Sequence, residues 1–188
     1  MAASWGWRER FRPARVRLLL IAESPPRTVG EAPLRHFYHP AGPPPDTLFR
    51  ALAPALLGTD ALAEGCPAAK EAALRRLAAG GFLLLDSAQC PVNHLPTMAS
   101  RREVVRRCAG AVLRQQVAAL RLEPEARICL LVRGTVPAAA LPVLGELGLG
   151  SRVPHPGGLP FPGRWPGHRE AFQRGVRQAA AAAGWEFP

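Results

Sequence analysis

Three stretches of the chain are apolar at successive positions rather than alternate ones: Val16-Arg17-Leu18-Leu19-Leu20-Ile21-Ala22, Phe82-Leu83-Leu84-Leu85-Asp86 and Arg127-Ile128-Cys129-Leu130-Leu131-Val132. Short runs of this kind, each leading into a polar or glycine-containing loop, read as strands buried on both faces of a parallel sheet. The segments between them read as helices. Asp46 caps a helix that buries Phe49, Leu52, Leu56 and Leu57, and a second helix from Ala68 to Ala79 stops at Gly80-Gly81. Ser100-Arg101-Arg102-Glu103 has the form of a capping box, after which Val104, Val105, Cys108, Val112, Leu113, Val117 and Leu120 share one face. A helical stretch runs from Gly134-Thr135 to about Leu147, Arg152-Val153-Pro154 forms a short fourth strand, and a last helix from His168 to Ala183 ends at Gly184. The expectation is an α/β three-layer sandwich with a central, mainly parallel four-stranded sheet flanked by helices.

A chain of 188 residues with 48% hydrophobic content can bury one sizeable core, so residues 1–188 are expected to form a single domain, with 1–15 as a basic N-terminal extension. No apolar run approaches the roughly 20 residues of a membrane span. The N-terminal run ends at Glu23-Ser24-Pro25-Pro26 without a small-residue cleavage site, and a cytoplasmic protein without membrane association is expected. The formal charge of +10 favours a polyanionic partner, because neutralised phosphates release counterions. Arginines cluster at Arg8, Arg10, Arg12, Arg15 and Arg17 and at Arg101, Arg102, Arg106 and Arg107, although solvated helix faces and coding bias would give a similar pattern. Cys66, Cys90, Cys108 and Cys129 are dispersed, without a Cys-x-x-Cys pair, and read as apolar thiols rather than a zinc site.

Ligands of parallel α/β sheets bind beyond the carboxyl ends of the strands, which brings the loops at Glu23, Asp86, Gly134 and His155 to one rim. Glu23 follows a buried strand directly, a place suited to positioning water or stabilising a cation, or to capping the next turn. His155 lies between Pro154 and Pro156 ahead of Gly157-Gly158, a loop stiff on one side and free to approach a ligand on the other. The long loop from Ser24 to about Pro45 is of a length that commonly carries function.

Ala22-Glu23-Ser24-Pro25-Pro26, Arg35-His36-Phe37-Tyr38, Leu84 to Pro91 and His155-Pro156-Gly157-Gly158-Leu159-Pro160, in that order, resemble the motifs of the uracil-DNA glycosylase superfamily. The resemblance runs from about Val16 to Phe172. It implies a DNA base-excision glycosylase that acts as a monomer on single- or double-stranded DNA. By the resemblance, Glu23 and His155 are the catalytic pair: Glu23 serves the attacking water and the cationic sugar, and His155 the carbonyl oxygen of the leaving base. Phe37 is the stacking aromatic with Tyr38 as the second candidate, and Asp86 and Ser24 complete the base-binding set. Leu159 is the residue inserted into the duplex, with Gly157, Gly158 and Arg164 also on the DNA. Such enzymes extract the base from the stack before its glycosidic bond is reached.

The match has departures. Ala22 and Pro26 stand where the first motif has glycines. Asp86 stands where a base-reading asparagine is usual; an ionised aspartate only accepts, so it suits a base edge with two donors, or uracil when protonated, or else merely caps its loop. Cys90 and Cys108 resemble the later two ligands of the family's iron–sulfur branches, but the N-terminal pair is missing, so neither a cluster nor another metal or organic cofactor is expected. Two alternatives remain beside the glycosylase: a nucleic-acid-binding protein of the same fold with altered catalysis, and a hydrolase of small N-glycosides.

Overall fold

The computed structural model describes residues 2–27, 36–40, 46–58, 66–163 and 165–187. Its centre is β1 (Val16–Ala22), flanked by β2 (Phe82–Asp86) and β3 (Leu122–Leu130) in the order β2-β1-β3, both parallel to β1. Leu18 through Ala22 pair in unbroken register with Phe82 through Asp86, so the two strands end side by side. On the other edge Leu18 through Ile21 pair with Arg127 through Leu130. The ladder is irregular between Val16 and Leu18, where the partner jumps from Leu122 to Arg127. Pro124 lies in that stretch of β3 and has no N–H to give a ladder.

Helices cover both faces. Leu18, Leu20, Ala22, Phe82, Leu84, Cys129 and Leu131 pack into one core with α2 (Thr47–Leu57), α3 (Pro67–Ala79) and α7 (His168–Ala182). Val16, Leu19, Ile21, Leu83, Leu85, Ile128 and Leu130 form the other with α4 (Met98–Cys108), α5 (Arg114–Ala118) and α6 (Thr135–Glu146). The two-residue alternation of strand side chains accounts for this division, and burial on both faces explains why the strands read as continuous apolar runs. Among the described residues no helix is long and apolar enough to cross a membrane.

Two sequence expectations need correction. The fourth strand is absent: Gly150–Arg152 is a single 3₁₀ turn, and among the described residues the sheet has three strands. Pro154 and Pro156 deprive that segment of two backbone donors, and contact with the sheet comes later, through one parallel bridge between Leu131 and Leu159. The cap of α4 is Thr97, whose Oγ1 accepts from the Ser100 N–H at 3.1 Å while Ser100 Oγ accepts from the Thr97 N–H at 3.3 Å. The helix that follows passes into a π turn at Ala109–Leu113 before α5, in the small-residue run Ala109-Gly110-Ala111. Residues 1–15, expected as a basic extension, include a helix, α1 (Ala2–Arg10), after which Phe11 is buried in the α2/α3/α7 core with Trp7 packed against it.

Candidate functional site

Hydrogen bonds at the carboxyl ends of the strands tie successive loops together. The Ser87 N–H donates to Ala22 O at 2.8 Å and the Ala88 N–H to Glu23 O at 2.9 Å, so the loop after β2 is fastened to the loop after β1. Ser24 Oγ accepts from the Val92 N–H at 3.3 Å, which gives this residue a role in holding the two loops together. Beyond β3, the Leu131 N–H donates to Ile21 O at 2.8 Å. The Leu159 N–H donates to Leu130 O at 2.7 Å and the Val132 N–H to Leu159 O at 3.0 Å. These bonds anchor the His155–Leu159 turn, closed by the Gly158 N–H on His155 O at 2.9 Å. Gly158 has φ +80°, and a Cβ there would stand 2.8 Å from Pro137 Cγ, so only glycine fits. Glu23, Asp86 and the His155 turn therefore leave one rim.

Burial sets the chemistry of that rim. Half-burial pushes the Glu23 carboxyl up, against the lowering effect of Arg101. Arg101 is itself held by Leu95 O at 3.2 Å and Asn93 O at 2.9 Å. Burial of the carboxyl at the half-buried end of β2 pushes Asp86 up to about 7, the Arg8 guanidinium opposing it. His36 is moved down to about 4, chiefly by burial. Its Nδ1 accepts from the Tyr38 N–H at 3.3 Å, which places the proton of the neutral ring on Nε2. The Tyr38 hydroxyl, pushed up by burial, accepts from the Leu84 N–H at 2.6 Å and satisfies the outer edge of β2. Arg8, Pro25, His36, Tyr38, Leu84, Asp86, Gln89 and Gln116 line a cavity of about 20 Å³, the room of a single water.

Three buried polar atoms on the rim have no hydrogen-bond partner among the described residues: Ser87 Oγ, Thr135 Oγ1 and His155 Nε2. Orphaned buried polar groups are uncommon and mark places where a ligand or water is expected. Between β3 and α6, Val132 has φ 72°, a strained conformation for a β-branched residue. Sequence reading singled out His155 but passed over Ser87 and Thr135, each next to a residue it had noted, Asp86 and Gly134.

Other expected site residues lie elsewhere. Phe37 is buried in the core, its ring 5.6 Å from that of Phe49 and 5.7 Å from that of Phe82, and does not line the cavity; His36 and Tyr38 do. Leu159 is 5% exposed and packs on α7 at Gly175, where its closeness excludes any larger residue. Bridged to Leu131 and packed against α7, it serves as a core residue rather than a free wedge. Gly157 is exposed and Gly158 buried, and Arg164 lies outside the described residues. Exposed apolar side chains follow in the next stretch of chain, at Phe161 and Trp165, 44% and 73% accessible.

Cys129 is buried in β3 with its thiol pushed up to about 12; Cys66 and Cys90 are exposed. The Cys108 thiol is pushed up by burial and by Cys90. Among the described residues no group of three or more histidine, cysteine, aspartate or glutamate side chains is placed to hold a metal ion. Comparison with protein-family models, curated proteins and solved structures finds no match to the chain.

Proposed function

We propose that this chain is a DNA-base glycosylase, a divergent member of the uracil-DNA glycosylase superfamily that hydrolyses the N-glycosidic bond of an extruded base. The observation that carries this reading is the meeting of Glu23, Asp86 and the His155 turn at the carboxyl ends of a parallel sheet, with His155 Nε2 buried and unpartnered among the described residues. In the reaction the bond from C1′ to the base nitrogen breaks and its electron pair leaves with the base. His155 meets the charge that builds on a base carbonyl. Water adds to C1′ and gives its proton to the Glu23 carboxylate, which also stabilises the cationic sugar. Asp86, His36 and Tyr38 surround the base, and arginines of the rim hold phosphates. Phe161 and Trp165 take the stacking and wedging duties that Leu159, locked in the core, does not perform.

The test is incubation with single- and double-stranded oligonucleotides carrying uracil, hypoxanthine, xanthine or alkylated bases, followed by cleavage at abasic sites. Strand scission dependent on Glu23 and His155 is expected. A second reading, nucleic-acid binding without excision, draws on the 20 Å³ volume of the cavity, which admits no base until its walls move. Salt-sensitive binding with no abasic product on any substrate would establish that reading instead.

A further inference from the structure

α4 begins with charge of the unfavourable sign. Its first turn holds no acidic residue, and Arg101 and Arg102 stand near its start, where the positive end of the helix dipole disfavours a cation. Arg101 is nonetheless put to use there. Its Nε donates to Leu95 O at 3.2 Å and its Nη2 to Asn93 O at 2.9 Å, so one planar guanidinium clamps two carbonyls of the loop after β2. That loop in turn supports Glu23. The Leu95 N–H donates to Val92 O at 3.0 Å, the Val92 N–H to Ser24 Oγ at 3.3 Å and the Ala88 N–H to Glu23 O at 2.9 Å. Hydrogen bonds therefore run from the start of α4 to the loop that carries the carboxylate.

The same side chain brings a charge. Asp86 ends β2, His155 sits on its turn and Arg102 reaches toward Gly134, but the charge that acts on Glu23 is that of Arg101. Burial and Arg101 oppose each other, and both serve a general base. Half-burial raises the carboxyl, which makes it basic enough to take a proton from water; Arg101 restrains the rise, which keeps it ionised near neutral pH. A lysine at this position carries the charge, but its single nitrogen on a flexible stem does not span both carbonyls in one fixed geometry.

We propose that Arg101 is a positioning residue for Glu23: clamped on Asn93 O and Leu95 O, its guanidinium holds the loop after β2 against the Glu23 loop and presents a fixed positive charge to the carboxylate. The reaction it serves rests on the glycosylase reading; the state of the Glu23 carboxyl does not. A brace and a charge have opposite signatures. Removing a mere brace lets water reach Glu23 and lowers its titration, whereas removing a charge leaves burial unopposed and raises it.

The experiment has two arms. In the first, the full chain carrying carboxyl-labelled glutamate is titrated by NMR as wild type, Arg101→Met, Arg101→Lys and Arg102→Met, the Glu23 signal being identified by its loss in Glu23→Gln. Arg101→Met should raise the Glu23 titration by about one pH unit, the lower end of what a nearby opposite charge does, while Arg101→Lys and Arg102→Met stay within about a third of a unit of wild type. In wild type itself, salt at about 1 M screens this partly exposed pair and should move the titration the same way. In the second arm, pH–rate profiles are taken on oligonucleotides carrying uracil, hypoxanthine, xanthine or alkylated bases. The acid limb should move up in Arg101→Met and stay in place in Arg101→Lys, whose maximal rate falls about tenfold or more as the clamp is lost. An unmoved or lowered Glu23 titration in Arg101→Met, an equal rise in Arg102→Met, or a wild-type rate in Arg101→Lys would overturn the proposal. A raised titration without abasic product from any oligonucleotide would uphold the action of Arg101 on Glu23 and refute the glycosylase reading; excision with the Glu23 titration unmoved would do the reverse.

Discussion

Replacing Asp86 with asparagine should change how stability depends on pH, with a sign and size set by two groups, half-buried Asp86 and buried His36, that face one cavity. Burial raises the Asp86 carboxyl from 3.8 to about 7, roughly three units, so its ionisation costs the folded state up to about 4 kcal/mol at 1.36 kcal/mol per unit. A raised folded pKa means the contribution is fully present below the unfolded value, near pH 3.8, and is lost as pH rises to about 7. His36 acts in the opposite sense. Its folded value falls from 6.5 to about 4, so its contribution is present above 6.5 and is lost as pH falls toward 4, up to about 3 kcal/mol. Across the shared window the two slopes largely cancel, and the wild type should be nearly flat. Asp86→Asn removes the falling component, so its stability should rise by about 3 kcal/mol between about pH 4 and 6.5. His36→Asn removes the rising one and should fall by up to about 4 kcal/mol by pH 7. Urea unfolding from about pH 4 to about pH 8, with midpoints and slopes fitted together, measures all three proteins. Parallel pH profiles for wild type and Asp86→Asn would refute the idea that this carboxyl is buried and shifted.

Glu23→Gln should lower excision by about 10²–10⁴-fold, and the wild-type rate should rise with pH on a limb above the ordinary carboxylate range, because burial raises Glu23; a pH–rate profile of both proteins checks this. Leu159→Ala should cost about 2–5 kcal/mol of stability in denaturant titrations, as expected of a core residue. Phe161→Ala and Trp165→Ala should leave stability unchanged while weakening single-strand binding by about 1–3 kcal/mol each, measured by fluorescence anisotropy. Arg102 approaches Gly134 at the rim and Arg133 is exposed beside it, so glutamine at either should reduce the magnitude of the log-affinity against log-salt slope by about one.

The sheet was legible where local sequence and tertiary environment agree. Residues buried on both faces gave runs in which β1 and β2 begin and end where sequence reading placed them, and Asp46 caps α2 as expected, accepting from the Phe49 N–H at 3.1 Å. Legibility failed where a long-range partner decides. The His155 segment resembles a strand locally, but its prolines remove ladder donors and it meets the end of β3 through a bridge at Leu159, and whether leucine at that position is a wedge or core depends on its packing against α7. Phe37 and His36 are neighbours, and no local signal says which one faces the cavity. Nor does composition reveal that Arg8, one arginine among many, comes to lie against Asp86.

The central claim is that Glu23 and His155 act on a glycosidic bond at the carboxyl ends of the strands. Release of free base from oligonucleotides carrying uracil, hypoxanthine, xanthine or alkylated bases, followed by mass spectrometry with wild type, Glu23→Gln and His155→Ala at matched DNA occupancy, tests it most directly. Base release by wild type, with both variants binding the DNA but releasing base at least about a hundredfold more slowly, is the expected result. Undiminished release by either variant, or none by wild type at full occupancy, would contradict it.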